Sequence, residues 1–117
     1  MILADTSIWI DHFRRGQPLL GKRLTDGLIL MHPFVLGELA CGNLKDRATI
    51  LRDLNSLPVA TAAANSEVML LVESRKLWAR GLGWIDAHLL ASALLSHCQL
   101  WTLDKQLHHA ASDLKLT

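Results

Sequence analysis

The chain has 117 residues, half of them hydrophobic, which is the size and apolar content of one compact domain with no separate regulatory module. Its 12 basic and 11 acidic residues give a net charge of +1, so the charge balance alone does not indicate nucleic acid binding. No apolar run approaches the roughly 18 residues of a membrane-spanning helix, and no basic region typical of a signal peptide begins the chain. We therefore expect a cytoplasmic protein.

The first half of the chain predicts strands and helices in alternation. The apolar run Ile2-Leu3-Ala4 predicts a buried strand that ends at Asp5, and Ser7 is the predicted N-cap of a helix that ends at Gly16. The following predicted elements are a helix from Pro18 to Gly27, a strand over 28–31, a helix from Pro33 to Cys41, helical spacing over 44–54 and an edge strand over 57–59.

The second half continues this pattern. It predicts a long amphipathic helix from Ala62 to Arg80, an apolar helix from Asp86 to His97, a strand from Leu100 to Leu103, a helix starting near Asp104 and a candidate last strand over 113–116. Strands that alternate with helices are typical of an α/β fold, with a mostly parallel central sheet and helices on both faces. The two cysteines, Cys41 and Cys98, are predicted to be buried free thiols.

Acidic residues lie at the points where this fold would form a site. Asp5 and Asp104 follow predicted strands, and the carboxyl ends of parallel strands form the edge where such sheets bind ligands. Glu38 lies in an apolar helix without a basic residue within helical reach, so it points into a solvent gap or into a site. Asp86 begins a helix, and both Asp86 and Asp104 have the simpler interpretation of N-caps.

Four carboxylates that converge would require a cation. They would raise one another's pKa values and oppose folding unless a divalent ion neutralised them, and oxygen ligands favour Mg²⁺ or Mn²⁺. The acidic positions therefore predict a metal site.

Four sequence segments together resemble the PIN-domain ribonucleases, specifically the VapC-type toxins of bacterial toxin-antitoxin pairs. They are Asp5-Thr6-Ser7-Ile8-Trp9-Ile10-Asp11, Glu38-Leu39-Ala40-Cys41-Gly42, Gly83-Trp84-Ile85-Asp86-Ala87-His88-Leu89-Leu90-Ala91 and Thr102-Leu103-Asp104. The resemblance spans the chain and implies a single PIN domain over residues 1–117, a three-layer α/β sandwich. One departure is His32-Pro33, where many family members have a Ser or Thr before the glutamate helix.

The resemblance also implies a site and a function. Asp5, Glu38, Asp86 and Asp104 match the family's catalytic acids, which bind Mg²⁺ or Mn²⁺, and the hydroxyls of Thr6, Ser7 and Thr102 match positions that support them. The implied activity is endonucleolytic cleavage of RNA (tRNA, rRNA or mRNA) by metal-activated water. The implied partner is a VapB-type antitoxin. The hydrophobic excess separately predicts an apolar surface covered by a homodimer or a bound protein.

Basic and aromatic residues near the acidic motifs are candidates for RNA contacts. Arg14, Arg15 and Lys105 could contact the phosphates along an RNA backbone, although basic residues of this kind usually lie on solvated faces without a ligand. Trp9, Trp84 and Trp101 flank the acidic motifs and could stack a base, but their contexts favour packing.

Two other functions compete with a nuclease. A magnesium-dependent phosphoryl-transfer domain also has aspartates at strand ends, but a dehalogenase-type enzyme needs a second Asp where this chain has Ser7, and a receiver needs an acidic pair near the first strand. The other alternative is a PIN-like scaffold that binds RNA or protein without cleaving it, and replacement of an acid would favour it. None of the four acids is replaced.

Overall fold

Three short parallel strands form the centre of the fold in a computed structural model, which describes residues 1–117. They are β1 (Ile2–Ala4), β2 (Ile29–Leu30) and β3 (Gln99–Trp101), in the order β2-β1-β3. In the central strand Leu3 pairs with Leu30 on one side and Leu100 on the other. Asp5 N–H continues the β1–β3 pairing by donating to the Trp101 carbonyl at 3.0 Å.

Seven helices connect and cover these strands. They are α1 (Thr6–Arg15), α2 (Pro18–Thr25), α3 (Pro33–Cys41), α4 (Arg47–Asn55), α5 (Asn65–Ser74), α6 (Trp84–Ser96) and α7 (Lys105–Asp113). None of them is long and apolar enough to cross a membrane.

The central strand is covered on both faces. Ile2, Leu3 and Ala4 point alternately to opposite faces, and all three are buried, with Leu3 at 0% exposure. Parallel crossovers are right-handed, so the connection from β1 to β2 and the connection from β2 to β3, which run in opposite directions across the sheet, lie on opposite faces. The predicted α/β fold with a parallel sheet and helices on both faces is confirmed.

Helix α5 ends at Ser74, six residues before the predicted end at Arg80. Lys76 has a left-handed φ of 53°, and the Leu77 N–H donates to the Val72 carbonyl at 3.0 Å. This is the hydrogen bond of a Schellman cap, which turns the chain so that Leu77 is buried. Lys76 occupies a position that usually favours glycine. The first glycine is Gly81, and the predicted helix therefore continued to Arg80.

The predicted last strand over 113–116 is wrong for the same reason. Lys115 has a φ of 61°, and the Leu116 N–H donates to the Ala111 carbonyl at 2.8 Å, so the segment is the Schellman cap of α7. The alternation of apolar Leu114 and Leu116 reflects the burial of this turn. Leu116 makes one sheet-like contact, because its carbonyl accepts from the Leu100 N–H at 2.8 Å.

The predicted edge strand over 57–59 is reduced to a single parallel bridge between Met31 and Val59. The Met31 N–H donates to the Pro58 carbonyl and the Ala60 N–H donates to the Met31 carbonyl, both at 2.8 Å. Pro58 has no N–H of its own, which restricts further pairing.

Only one of the two cysteines is buried. Cys98 is buried as predicted, whereas Cys41 is exposed, and both are free thiols. Cys41 belongs to the solvent-facing side of α3 together with Phe34, Gly37 and Glu38. The apolar composition of α3 concealed this face, so the prediction for Cys41 is wrong.

We expect Leu3→Ala to reduce the free energy of unfolding by about 2 to 5 kcal/mol, because Leu3 is buried on the central strand and its truncation leaves a cavity. Urea denaturation monitored by circular dichroism measures the change. The matched control is Leu103→Ala, at a position that is 53% exposed, where the change should stay within about 0.5 kcal/mol. Equal losses in the two variants would contradict the assignment of the core.

Candidate active site

The Asp5 carboxylate is the buried centre of a polar network at the carboxyl ends of the strands. Asp5 follows β1, is 7% exposed and is the N-cap of α1. Its Oδ1 accepts hydrogen bonds from the Ser7 N–H at 3.0 Å and from the Ser7 hydroxyl, and its Oδ2 accepts from the Thr102 hydroxyl at 2.8 Å. Ser7 is not the N-cap as predicted. The chain leaves the extended conformation directly after Asp5, so Asp5 is the N-cap and Ser7 donates its N–H to it.

Ser7 and Thr102 connect the end of β1 to the end of β3. The Leu103 N–H donates to the Ser7 hydroxyl oxygen, and the Asp104 N–H donates to the Thr102 hydroxyl oxygen, each at 3.0 Å. Each hydroxyl therefore donates to Asp5 and accepts from the backbone that leads into α7. The network holds Asp104 next to the end of the central strand.

Glu38 lies on α3 and is exposed to solvent. Of the two placements predicted for it, the structure shows a solvent-facing carboxylate at the edge of a groove. Its Oε1 accepts a hydrogen bond from the Thr6 hydroxyl at 2.8 Å. Because Thr6 is adjacent to Asp5, this bond links α3 to the start of α1.

Asp86 and Asp104 both hold helix N-termini. Asp104 is the N-cap of α7, and its Oδ1 accepts from the Leu107 N–H at 2.9 Å, as the simpler interpretation predicts. Asp86 is not an N-cap but lies in the first turn of α6, where its Oδ2 accepts from the Gly83 N–H at 2.9 Å. Helix α6 begins two residues earlier than predicted, at Trp84.

Burial raises the pKa of Asp5 above its ordinary value, while the hydrogen bonds from Ser7 and Thr102 lower it in part. The cause differs from the one predicted, since burial rather than crowding by other carboxylates accounts for the shift. Glu38 and Asp104 are exposed and Asp86 is half-buried, so water solvates their charges.

Hydrogen bonds connect three of the four predicted acids, and Asp86 is outside this network. Asp5 is linked to Asp104 through Thr102 and to Glu38 through its neighbour Thr6. No three Asp, Glu, His or Cys side chains of the chain are arranged to hold a metal ion. The chain's three ion pairs, Arg15–Asp11, Lys22–Asp26 and Arg80–Asp113, include none of the four acids.

A buried histidine ties together the helices that carry Glu38 and Asp86. His32 is 1% exposed; its Nδ1 accepts from the Phe34 N–H at 3.0 Å as the N-cap of α3, and its Nε2 lies 2.9 Å from the Ser92 hydroxyl of α6. His32 thus contacts no acid directly. The sequence did not predict this link: Ser92 lies among the apolar residues Leu90, Ala91 and Ala93, but nothing in the sequence identifies His32 as its partner.

The residues predicted to contact RNA occupy different environments. Arg14 and Lys105 are exposed, and Arg15 is exposed and paired with Asp11. Trp9 is buried and packs in the core, as the sequence favours. Trp101 is half-buried under the Arg23 guanidinium, at 4.6 Å from the ring centroid. Trp84 is the exception, because 44% of it is exposed.

Two grooves meet at Glu38. The larger, of 590 Å³, lies between α1, α3 and α4, and is lined by Ile10, Phe13, Arg14, Glu38, Leu39, Gly42, Asn43, Leu44, Lys45, Asp46 and Ile50. The smaller, of 460 Å³, is lined by Pro33, Phe34, Gly37, Glu38, Cys41 and Ile85. Glu38 is the residue common to both.

A parallel sheet with a buried aspartate at the end of its central strand, connected by hydrogen bonds to the residues around Glu38 and Asp104, is consistent with the PIN-domain resemblance. The chain matches the PIN domain over residues 2–113 and belongs to that family. It is 44% identical over 114 residues to Ribonuclease VapC32 of Mycobacterium tuberculosis, strain CDC 1551 / Oshkosh. The aligned residues make up 97% of this chain and 92% of that protein. Ribonuclease VapC32 of strain ATCC 25618 / H37Rv gives the same values. The resemblance to VapC-type PIN ribonucleases is confirmed.

We expect His32 to make folding stability depend on pH. Burial, with a smaller contribution from the nearby His88, lowers the pKa of His32 from 6.5 to about 4. A pKa that is lower in the folded state contributes stability that is complete above pH 6.5 and is lost as the pH falls toward 4. The loss should reach about 3 kcal/mol at pH 4, from about 1.4 kcal/mol per pKa unit.

Urea denaturation of the wild type and of His32→Asn between pH 7 and pH 4 measures this contribution, and the difference between the two proteins cancels the contribution of Asp5. Asparagine keeps an acceptor for the Phe34 N–H but does not titrate, so the variant should show a smaller pH dependence. His108→Asn, at an exposed position, should keep the wild-type dependence. An unchanged slope in His32→Asn would contradict the role of His32.

Proposed function

We propose that this protein is a magnesium-dependent endoribonuclease and the toxin of a toxin-antitoxin pair, with Asp5, Glu38, Asp86 and Asp104 as catalytic and metal-binding residues. The proposal is supported by membership of the PIN domain family and by similarity to a protein named Ribonuclease VapC32. It assigns the activity to one PIN domain over residues 1–117, acting in the cytoplasm.

One observation supports the proposal of a metal site. In each of Glu38, Asp86 and Asp104, one carboxylate oxygen accepts a hydrogen bond that holds the side chain, and the other makes no hydrogen bond within the protein. No lysine, arginine or histidine pairs with any of them or with Asp5. These free oxygens are hard donors that suit Mg²⁺, with Mn²⁺ as a substitute.

The residues would have different roles in binding the ion at such a site. Asp5 is the rigid ligand, because three hydrogen bonds hold it at the end of β1. The other three acids are not fully buried, and to share an ion with Asp5 they would have to reorient from the hydrogen bonds that hold them in this structure. The hydroxyls of Thr6, Ser7 and Thr102 orient Glu38 and Asp5. A bound Mg²⁺ would lower the pKa of a coordinated water and orient the phosphodiester.

The substrate class is RNA, as tRNA, rRNA or mRNA. The four acids of the proposed site would together repel phosphate unless a cation is present, so binding of the RNA backbone would depend on the metal and on nearby basic residues. Arg14 and Lys105 are exposed near Glu38 and Asp104 and suit this role. Arg15 is exposed but shares its charge with Asp11.

Two protein partners are proposed. A VapB-type antitoxin is supported by the similarity to Ribonuclease VapC32, and the larger groove beside Glu38 offers apolar side chains flanked by Arg14 and Lys45. A homodimer is supported by exposed apolar residues on neighbouring helices: Met69 and Leu70 of α5 and Leu95 of α6.

We expect Asp5→Asn to reduce RNA cleavage by at least roughly 100-fold while the fold is retained, because the substitution removes the anchored charge but keeps the side-chain shape. Total bacterial RNA and purified tRNA are incubated with the protein in magnesium or in EDTA, and fragment ends are mapped by sequencing. The matched control is Asp11→Asn, an aspartate of α1 that is paired with Arg15. Full activity in Asp5→Asn, or in EDTA, would reject the metal mechanism; no cleavage by the wild type of any RNA would favour the non-cleaving scaffold.

We also expect magnesium to raise the melting temperature of the wild type. An ion that binds only the folded state at 100 times its Kd stabilises it by about 2.7 kcal/mol. Thermal unfolding is followed by circular dichroism over a magnesium titration, with manganese in parallel. Asp5→Asn and Asp104→Asn should lose the response, and Asp11→Asn should keep it. A similar rise in all four proteins would indicate a general salt effect and no specific site.

A further inference from the structure

An aromatic cluster joins α3 and α6, the helices that carry Glu38 and Asp86. It consists of Phe34, His88 and Trp84. The buried His88 ring lies between the other two, with ring centroids 4.7 Å from Phe34 and 4.8 Å from Trp84, both in edge-to-face geometry. Phe34 is 38% exposed and Trp84 is 44% exposed. The cluster therefore presents two aromatic side chains to solvent on a buried support.

One of the exposed rings, Phe34, lies next to Glu38, and the other, Trp84, lies on the helix that carries Asp86. Phe34 is one helical turn before Glu38 on α3, so the two side chains share a face, and both line the smaller groove. Trp84 is the first residue of α6, two positions before Asp86. A substrate held at Glu38 would extend over Phe34, and the shared contact with His88 places Trp84 on the same cluster.

The charged and apolar residues that line the smaller groove indicate which class of ligand it would bind. Among its six lining residues, Glu38 is charged and none is basic, so the groove does not favour a phosphate group. Pro33, Phe34 and Ile85 give it apolar walls suited to a flat, uncharged ring. Bases of single-stranded RNA are such rings, and they stack on aromatic side chains with little dependence on sequence.

The edge-to-face contacts with His88 also make stacking efficient. They restrict the rings of Phe34 and Trp84 before any ligand binds, so little side-chain freedom remains to be lost. His88 is itself held on α6 and buried. The support is therefore part of the folded core rather than a loop.

We propose that Phe34 and Trp84 form a stacking platform for a nucleobase of a single-stranded RNA, immediately beside the scissile phosphate. This inference rests on the proposed ribonuclease function and adds to it a contact that holds one base, whereas the acids act on the backbone.

The test measures cleavage and binding of a short single-stranded oligoribonucleotide taken from a mapped cleavage site. Phe34→Leu and Trp84→Leu should raise KM about 5- to 150-fold, the range for loss of one stacked base, with kcat changed less than about threefold. Kd, measured by fluorescence anisotropy in the Asp5→Asn background, should rise by the same factor. Phe34→Tyr and Trp84→Phe should restore most of the binding, which a merely structural defect would not explain.

Two controls make the result specific. Trp78→Leu replaces an exposed tryptophan outside the cluster and should bind RNA as the wild type does. An oligonucleotide with one abasic position should weaken binding to the wild type but cause no further loss in Phe34→Leu, at the position that stacks. Circular dichroism and melting temperature establish that each variant is folded.

The failures of the two proposals are distinguishable. A wild type that cleaves RNA, together with variants of unchanged KM and Kd, would overturn the platform and leave the ribonuclease intact. A wild type that cleaves no RNA would overturn the ribonuclease itself. Variants that bind RNA normally but no longer bind an antitoxin would assign the cluster to a protein partner and overturn the base-stacking proposal.

Discussion

The buried carboxylate of Asp5 is the interaction on which the site depends. A charge at the end of a central strand is costly to bury, and the hydroxyls of Ser7 and Thr102 and the first N–H groups of α1 offset that cost. The same hydrogen bonds fix where α1 begins and how the end of β3 meets β1. One residue therefore connects the order of the strands to the position of the chemistry.

Two of the three other acids of the proposed site, Asp86 and Asp104, lie at helix N-termini. Asp104 accepts from the first turn of α7, Asp86 from the residue before α6, and His32 caps α3 while it reaches Ser92. Each of the two carboxylates uses one oxygen to hold the helix start and makes no hydrogen bond within the protein with the other. The residues that hold these helix starts are therefore the same residues that the proposed metal site would use.

Much of this arrangement was readable from the sequence, and the exceptions have a common physical origin. The apolar run that ends at Asp5 predicted β1, and the segment from Pro33 to Cys41 predicted α3, because Pro33 begins that helix and Gly42 follows its end. The ends of α5 and α7 were missed because Lys76 and Lys115 adopt the left-handed conformation, which composition does not reveal. The exposure of Cys41 and the link from His32 to Ser92 depend on which helix faces meet in space, and one sequence cannot show that.

The unequal burial of the acids explains how such a site folds without a cation. If all four carboxylates were buried together, their repulsion and desolvation would oppose folding. Only Asp5 is buried, and hydroxyl donors satisfy it, whereas water solvates Glu38 and Asp104 and in part Asp86. Of the four acids of the proposed metal site, Asp5 is thus held by the most hydrogen bonds, and the other three are held by one each. An ion that binds there would require side chains of the folded protein to reorient. It would not be needed for the chain to fold.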